Sequence, residues 1–321
     1  MLKDLLEQKQ CFKLVCGAGN EDVEEIEKLV TIYSLAGCPF FDLSANQDVV
    51  DAAKRGLKKA GIKNNRYLCI SVGIAGDPHI TKANINIDSC IKCGNCRTIC
   101  PHNAISCEIE VKQERCLGCG QCTNVCPQKA ITMKSKLLDY KEVLPKLIEK
   151  GIDCIEFHAI SEDENDVDEK WKQINELYDG ILCISLDRSE LGDRKLKERV
   201  SRLISKRKPY TTIIQADGVA MSGNNDEYGT TLQAVATAQL FQNAKLPVYI
   251  MMSGGTNTKS TELTKKCGVT PNCLAVGSYA RKIVKKYLEM DNLLENTNAL
   301  NEAVKIAKSL IDISLENMRI D

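Results

Sequence analysis

Cys90-Ile91-Lys92-Cys93-Gly94-Asn95-Cys96-Arg97-Thr98-Ile99-Cys100-Pro101 and Cys116-Leu117-Gly118-Cys119-Gly120-Gln121-Cys122-Thr123-Asn124-Val125-Cys126-Pro127 are one motif written twice. Three thiols at this pitch lie on one side of a short turning loop, where they hold three corners of a single iron–sulfur cube. The fourth cysteine, carried away by the following proline, reaches the other cube. The spacing therefore predicts crossed ligation of two [4Fe–4S] clusters. Cys90, Cys93, Cys96 and Cys126 hold one, and Cys116, Cys119, Cys122 and Cys100 hold the other. Structural zinc is the rival, but zinc prefers two separated Cys-x-x-Cys pairs and no proline after the fourth cysteine.

Outward from the cysteines the repeat continues. Asp88–Ile105 and Glu114–Ile131 share the glycine after the second cysteine (Gly94, Gly120) and a closing Ala-Ile pair (Ala104-Ile105, Ala130-Ile131). Just upstream lies Tyr67–Ile74, an apolar strand whose expected helix is delayed while the chain turns at Gly76-Asp77-Pro78-His79 into the cysteine module. On either side, apolar strands alternate with stretches of helical periodicity. Strands are expected at 12–17, 40–43, 67–74, 154–158, 181–186, 211–215, 248–252 and 274–276, each followed by a helix. Eight such units are the count of a (β/α)₈ TIM-like barrel; without the module roughly 270 residues remain, near the ~250 typical of that fold. A doubly wound open sheet alternates in the same way and is the competing architecture. The division expected is barrel 1–82, a two-cluster ferredoxin-like insertion 83–136, and the rest of the barrel with C-terminal helices 137–321. An insertion between the third strand and its helix belongs to the C-terminal face, where barrels carry their sites.

Composition sets the surroundings. The formal net charge is +0, which gives no bulk attraction to nucleic acid or an anionic membrane. No apolar run approaches the ~18 residues of a membrane span. Seventeen cysteines, nine of them outside the motif, suit a reducing compartment, so a cytoplasmic protein is expected. Between Asn84 and Ser135, six basic residues (Lys92, Arg97, Lys112, Arg115, Lys129, Lys134) outnumber four acidic ones (Asp88, Glu108, Glu110, Glu114). This favours an acidic redox partner or electron donor.

Polar residues gather at the expected strand ends: Asp42, Asp77, His79, Glu156, His158, Asp187, Gln215 and Asp217. Of these His79, His158, Glu156 and Asp77 are the candidate catalytic groups, the histidines for proton transfer near neutral pH. Met252-Ser253-Gly254-Gly255 and Val276-Gly277-Ser278-Tyr279-Ala280-Arg281 close the last two strands, where barrels often bind phosphate on glycine loops and a helix N-terminus. Gly254, Gly255, Gly277, Ser278 and Arg281 are thus the candidate cofactor-binding residues. They suit flavin mononucleotide (FMN) or another phosphate-bearing small-molecule ligand, although the glycines serve equally as tight turns. Cys16 and Cys38 read as buried thiols first and a redox pair second. The polar stretch 222–227 is a lid candidate.

The doubled motif, Lys13-Leu14-Val15-Cys16-Gly17-Ala18-Gly19, the run 36–46 (AGCPFFDLSAN), the run 73–80 (GIAGDPHI) and the phrases at 253–257 (SGGTN) and 276–284 (VGSYARKIV) together resemble the LdpA-like (light-dependent period) iron–sulfur family. That resemblance spans nearly the whole chain. It implies a two-cluster protein that senses cellular redox state, with all eight motif cysteines as ligands. Two readings of function stand side by side. One is an electron-transfer or redox-sensing protein on a barrel scaffold. The other is a reductase whose clusters feed a flavin or a phosphate-bearing molecule at the barrel mouth.

Overall fold

Eight short parallel strands close on themselves in a computed structural model that describes residues 1–321 apart from 18, 63, 78–79, 189–190, 219–226 and 319–321. Around the ring run β1 (Cys11–Val15), β2 (Phe40–Ser44), β3 (Tyr67–Gly73), β6 (Cys154–His158), β7 (Ile181–Leu186), β8 (Thr212–Asp217), β9 (Tyr249–Ser253) and β10 (Cys273–Val276), which returns to β1. The open-sheet alternative is thereby excluded. Helices follow the strands on the outside: α2 (Val23–Leu35), α3 (Gln47–Ala60), α6 (Tyr140–Glu149), α7 (Glu164–Leu177), α8 (Asp193–Ile204), α9 (Glu227–Ala244), α10 (Ser260–Lys266) and α11 (Ser278–Leu288), with α12 (Thr297–Met318) closing the chain. No helix among the described residues is long and apolar enough to cross a membrane. His79 and residues 222–226 of the lid candidate at 222–227 lie outside the described residues.

Strand alternation explains the closure. Phe12, Leu14, Phe41, Leu43, Ile70, Val72, Ile155, Phe157, Ile184 and Ile214 point outward and are buried under the helices. Their neighbours point into the barrel, and those change character along its axis. The lower interior is apolar: Cys11, Phe40, Cys69, Cys154, Cys183, Ile213, Met251 and Cys273. The upper interior, at the strand C-termini, is polar: Lys13, Asp42, Ser71, Glu156, His158, Ser185, Gln215 and Asp217, all buried. A short helix α1 (Leu2–Glu7), which the periodicity was too brief to reveal, stoppers the apolar end with Leu2 and Leu6. Asn272 Nδ2 donates to the Leu6 carbonyl at 3.1 Å, and the Tyr249 hydroxyl meets Glu7 at 3.1 Å. Burial of a leucine of this kind contributes about 1.5–3 kcal/mol.

The cysteine module leaves the barrel after β3. Its two arms, β4 (Thr81–Ile85) and β5 (Ile131–Ser135), pair antiparallel from Thr81↔Ser135 to Ile85↔Ile131. Between them lie α4 (Asn95–Ile99) and α5 (Gln121–Asn124), each started by a left-handed glycine, Gly94 (φ +81°) and Gly120 (φ +71°). A small core of Ala83, Ala104, Ile105, Ile109 and Ile131 lies beside the thiols.

The module is seated on the loop between β1 and α2. Lys82, 6% exposed, donates its ammonium to three carbonyls: Gly19 at 2.5 Å, Gln113 at 2.8 Å and Cys116 at 2.8 Å. The Glu21 N–H donates to the Glu114 carbonyl at 2.9 Å, and Arg115 pairs with Asp22 at 2.8 Å. Glu114, Arg115 and Cys116 belong to the second repeat and Gln113 directly precedes it, while Lys82 on β4 ties both to the Gly19 carbonyl.

Candidate redox site at the barrel mouth

Within the module two cavities are each walled by four cysteines. Cys90, Cys93, Cys96 and Cys126 line the first; Cys100, Cys116, Cys119 and Cys122 line the second. The sets combine residues from both repeats, the crossed grouping that the spacing predicts. Backbone donors point at the sulfurs. Lys92 N–H reaches Cys90 Sγ at 3.4 Å, and Ala130 N–H reaches Cys126 Sγ at 3.3 Å. In the second set Ala83 N–H reaches Cys116 Sγ and Ala104 N–H reaches Cys100 Sγ, both at 3.3 Å. Burial, followed by the neighbouring Cys119, Cys116 and Cys100, pushes Cys122 up to about 11. Four sulfurs gathered this closely therefore suit a cationic iron core, which removes the repulsion between thiolates.

A second feature adjoins that cavity. The barrel mouth is a cleft bounded by Gly17, Gly19, Asp42, Glu156, His158, Asp187, Asp217, Gly254, Gly255, Gly277, Ser278 and Arg281. Leu117, from the loop between Cys116 and Cys119, belongs both to this cleft and to the cavity of Cys100, Cys116, Cys119 and Cys122. Leu117 is thus a lining residue that the two share.

The floor of the mouth is a buried ionic network. Lys13 contacts Glu156 Oε2 at short range and lies 3.6 Å from Asp42 and 3.4 Å from Gln215 Oε1. His158 is held from both sides: Nδ1 to Asp77 at 2.8 Å and Nε2 to Glu156 at 3.1 Å. Gln215 Nε2 bridges Glu156 at 2.8 Å and Asp217 at 3.1 Å, and Ser71 donates to Asp42 at 2.6 Å. Gly73 makes this geometry possible, because a Cβ there would collide with the Asp77 carboxylate that folds back toward His158.

The electrostatics follow from these contacts. Burial alone would lower Lys13, but Asp42 and Glu156 outweigh it and hold the ammonium well above its ordinary value. Burial would likewise lower His158, yet the Asp77 and Glu156 carboxylates keep the imidazolium charged. For Glu156 burial acts upward and is overcome by Lys13 and His158, so it stays ionised. Asp42 is the group left over. Burial raises it, Lys13 at 3.6 Å only partly offsets this, and it settles at about 6. Burial and the Glu156 charge also raise Asp217. His158, expected as a proton-transfer group, has a carboxylate on each ring nitrogen, which favours its charged form, and the neighbouring Asp42 is raised by burial.

Asp42, Cys69 and Glu156 have the spacing of a metal-ligand trio. The Lys13 ammonium stands beside two of them and supplies the compensating positive charge. Lys13 is the member of this network that sequence reading passed over, since a single lysine within Phe12–Gly17 looked like part of an apolar strand. Its inward register, opposite Phe40 and Ala275, was the missing information.

On the rim the glycine residues stand where expected. Gly254 (φ +81°) and Gly255 (φ +63°) are both left-handed, and a Cβ on Gly254 would fall 2.5 Å from the Gly218 nitrogen. Gly277 caps α11 without a side-chain acceptor, leaving first-turn N–H groups beside the cleft. Arg281 is not simply a ligand-facing charge: Nη2 donates to the Cys16 carbonyl at 2.5 Å and Nε faces Glu25 at 2.9 Å. It braces the rim. Cys16 and Cys38 are fully buried outside the cleft, and burial pushes Cys38 up to about 12, the behaviour of an inert thiol.

Comparison with known proteins adds the following. Residues 146–313 match the light dependent period A C-terminal domain, and residues 83–133 match a 4Fe-4S dicluster domain. Light dependent period A of Synechococcus elongatus is 30% identical over 264 residues, covering 79% of this chain and 73% of that protein. Among solved structures, 3-hexulose-6-phosphate synthase from Salmonella typhimurium aligns over 96% of this chain and 99% of its own at 10% identity (TM-score 0.46). Tryptophan synthase subunit alpha from Legionella pneumophila aligns over 99% and 97% at 10% identity (TM-score 0.46).

Proposed function

The chain belongs to the light dependent period A family, and we propose that it is an iron–sulfur redox protein in which two [4Fe–4S] clusters connect an electron source to a small molecule in the barrel mouth. The observation that carries this reading is Leu117, which lines both the mouth and the cavity of Cys100, Cys116, Cys119 and Cys122. An inert scaffold has no need of a charged cleft at that point.

When bound, such clusters supply one-electron exchange at potentials set by net charge, hydrogen bonds to sulfur and solvent exposure. The chain does the rest. Ala83 and Ala104 aim N–H groups at the inner sulfurs, and Lys82 fixes the loop of Cys116 against the barrel. Gly254, Gly255, Gly277 and Ser278 form the side of the cleft suited to an anionic group, such as the phosphate of FMN or of another metabolite. Asp42 offers or takes a proton at the floor as charge arrives, while Lys13, Glu156 and His158 hold their charges fixed around it. Redox sensing remains the same chemistry read out by binding instead of turnover.

The test is anaerobic. Iron content near eight per chain is expected, and dithionite-reduced protein should be reoxidised on adding FMN. The same reaction in Glu156→Gln and Leu117→Trp should be slower by roughly tenfold or more. Reoxidation by FMN at an unchanged rate in both variants would remove the mouth from the electron path.

A further inference from the structure

The doubled motif gives the molecule an internal control. Cys90-Ile91-Lys92-Cys93-Gly94 and Cys116-Leu117-Gly118-Cys119-Gly120 are the same loop in two settings. Leu117 is half-buried at the barrel mouth. Ile91, its counterpart, is 60% exposed although it too walls a four-cysteine cavity. Ile87 and Ile99, in the same segment, are also exposed, as is Cys93. Apolar side chains concentrated at one cluster loop, where the equivalent loop has a protein surface over it, mark a place that another surface covers.

The charges say what kind. Lys92 and Arg97 lie within the loop itself and are exposed, while the exposed acids Asp88 and Glu108 stand at the two ends of the segment. An apolar centre with a basic fringe fits a small acidic protein that docks briefly and leaves, as electron carriers do. We propose that the exposed loop around Ile91, Lys92, Cys93 and Arg97 is the docking surface for an acidic one-electron carrier protein. This rests on the two-cluster reading above. The carrier gives up one electron and the cluster held by Cys90, Cys93, Cys96 and Cys126 takes it; no bond breaks and no proton moves. Electrons then have an outer entry and an inner exit, at opposite repeats.

The experiment uses the full chain with its iron in place and an acidic plant-type [2Fe–2S] ferredoxin as probe. Iron content is measured first, then complex formation by line broadening in NMR spectra of the labelled probe, then the second-order reduction rate at several salt concentrations. For the double charge reversal Lys92→Glu with Arg97→Glu, and separately for Ile91→Ser, iron near eight is expected. Line broadening should weaken, the low-salt rate should fall roughly tenfold in the charge variant, and its salt dependence should flatten. The same reversal at Lys308, an exposed lysine on α12, should change neither. Full iron content with unchanged broadening, rate and salt slope in both loop variants would overturn the docking surface alone. Wild-type iron near four would instead sink the two-cluster reading, and this proposal with it.

Discussion

The two repeats of the cysteine module share their cysteines, the glycine, the proline and the closing Ala-Ile pair, and live in different surroundings. The second is held by Lys82, Arg115 and the Glu114 carbonyl onto the β1–α2 loop, with Leu117 lining the barrel mouth. Among the described residues the first has no counterpart to those three anchors, and Ile91 is exposed to solvent. The lesson is that a duplicated motif does not fix a direction for electrons. Here the host fold breaks the symmetry, by covering one loop and leaving the other open.

The largest effect expected is on the clusters themselves. Cys126→Ala should empty the first cavity and Cys100→Ala the second, each lowering iron from about eight toward about four while one cluster's EPR signal persists. Loss confined to the repeat that carries the mutation would break the crossed arrangement, and with it the assignment of an inner and an outer cluster.

Next is the barrel side of the comparison. Lys13→Met leaves Glu156 and Asp42 buried without their shared cation, at a cost of about 3–5 kcal/mol. Anaerobic chemical denaturation should show that loss. Iron content per folded molecule should hold, since the module has its own core. A stability change under about 1 kcal/mol would mean the network is not charged as described.

A smaller change tests the seat. Lys82→Met strands three carbonyls, costing about 1–3 kcal/mol. Hydrogen exchange should rise at residues 113–117 and stay constant at 90–96. Equal change in both repeats would deny that they are differently anchored.

The smallest effect is on pH. Asp42 is raised from the usual 3.8 to about 6, so the folded chain holds an extra proton between those values. Its stability contribution is therefore full below about 3.8 and is lost as pH rises toward 6. Asp42→Asn should flatten that window, both in denaturation and in the rate at which the mouth exchanges electrons. An unaltered pH profile would exclude Asp42 as the titrating group.

Much of this arrangement was legible in the sequence. β6 and β7 appear at their predicted bounds, because Gly151 and Gly180 punctuate the chain shortly before each. The eight-strand count gave the barrel, and the prolines after Cys100 and Cys126 pointed to the mixed cysteine sets. What stayed hidden depends on three dimensions. The helix Leu2–Glu7 has too few turns for a periodic signal, and β4 and β5 are short and mostly polar. Lys13 is identifiable only once strand register turns it inward. That Leu117 is covered and Ile91 is not cannot be inferred from two loops of matching spacing, since the difference resides in the barrel.

The measurement closest to the central claim is anomalous diffraction at the iron edge from anaerobically grown crystals. The account predicts two iron sites, the inner one bonded by Cys100, Cys116, Cys119 and Cys122 with Leu117 between it and the mouth, the outer one beneath Ile91. A single iron site, or two sites each bonded within one repeat, would contradict it.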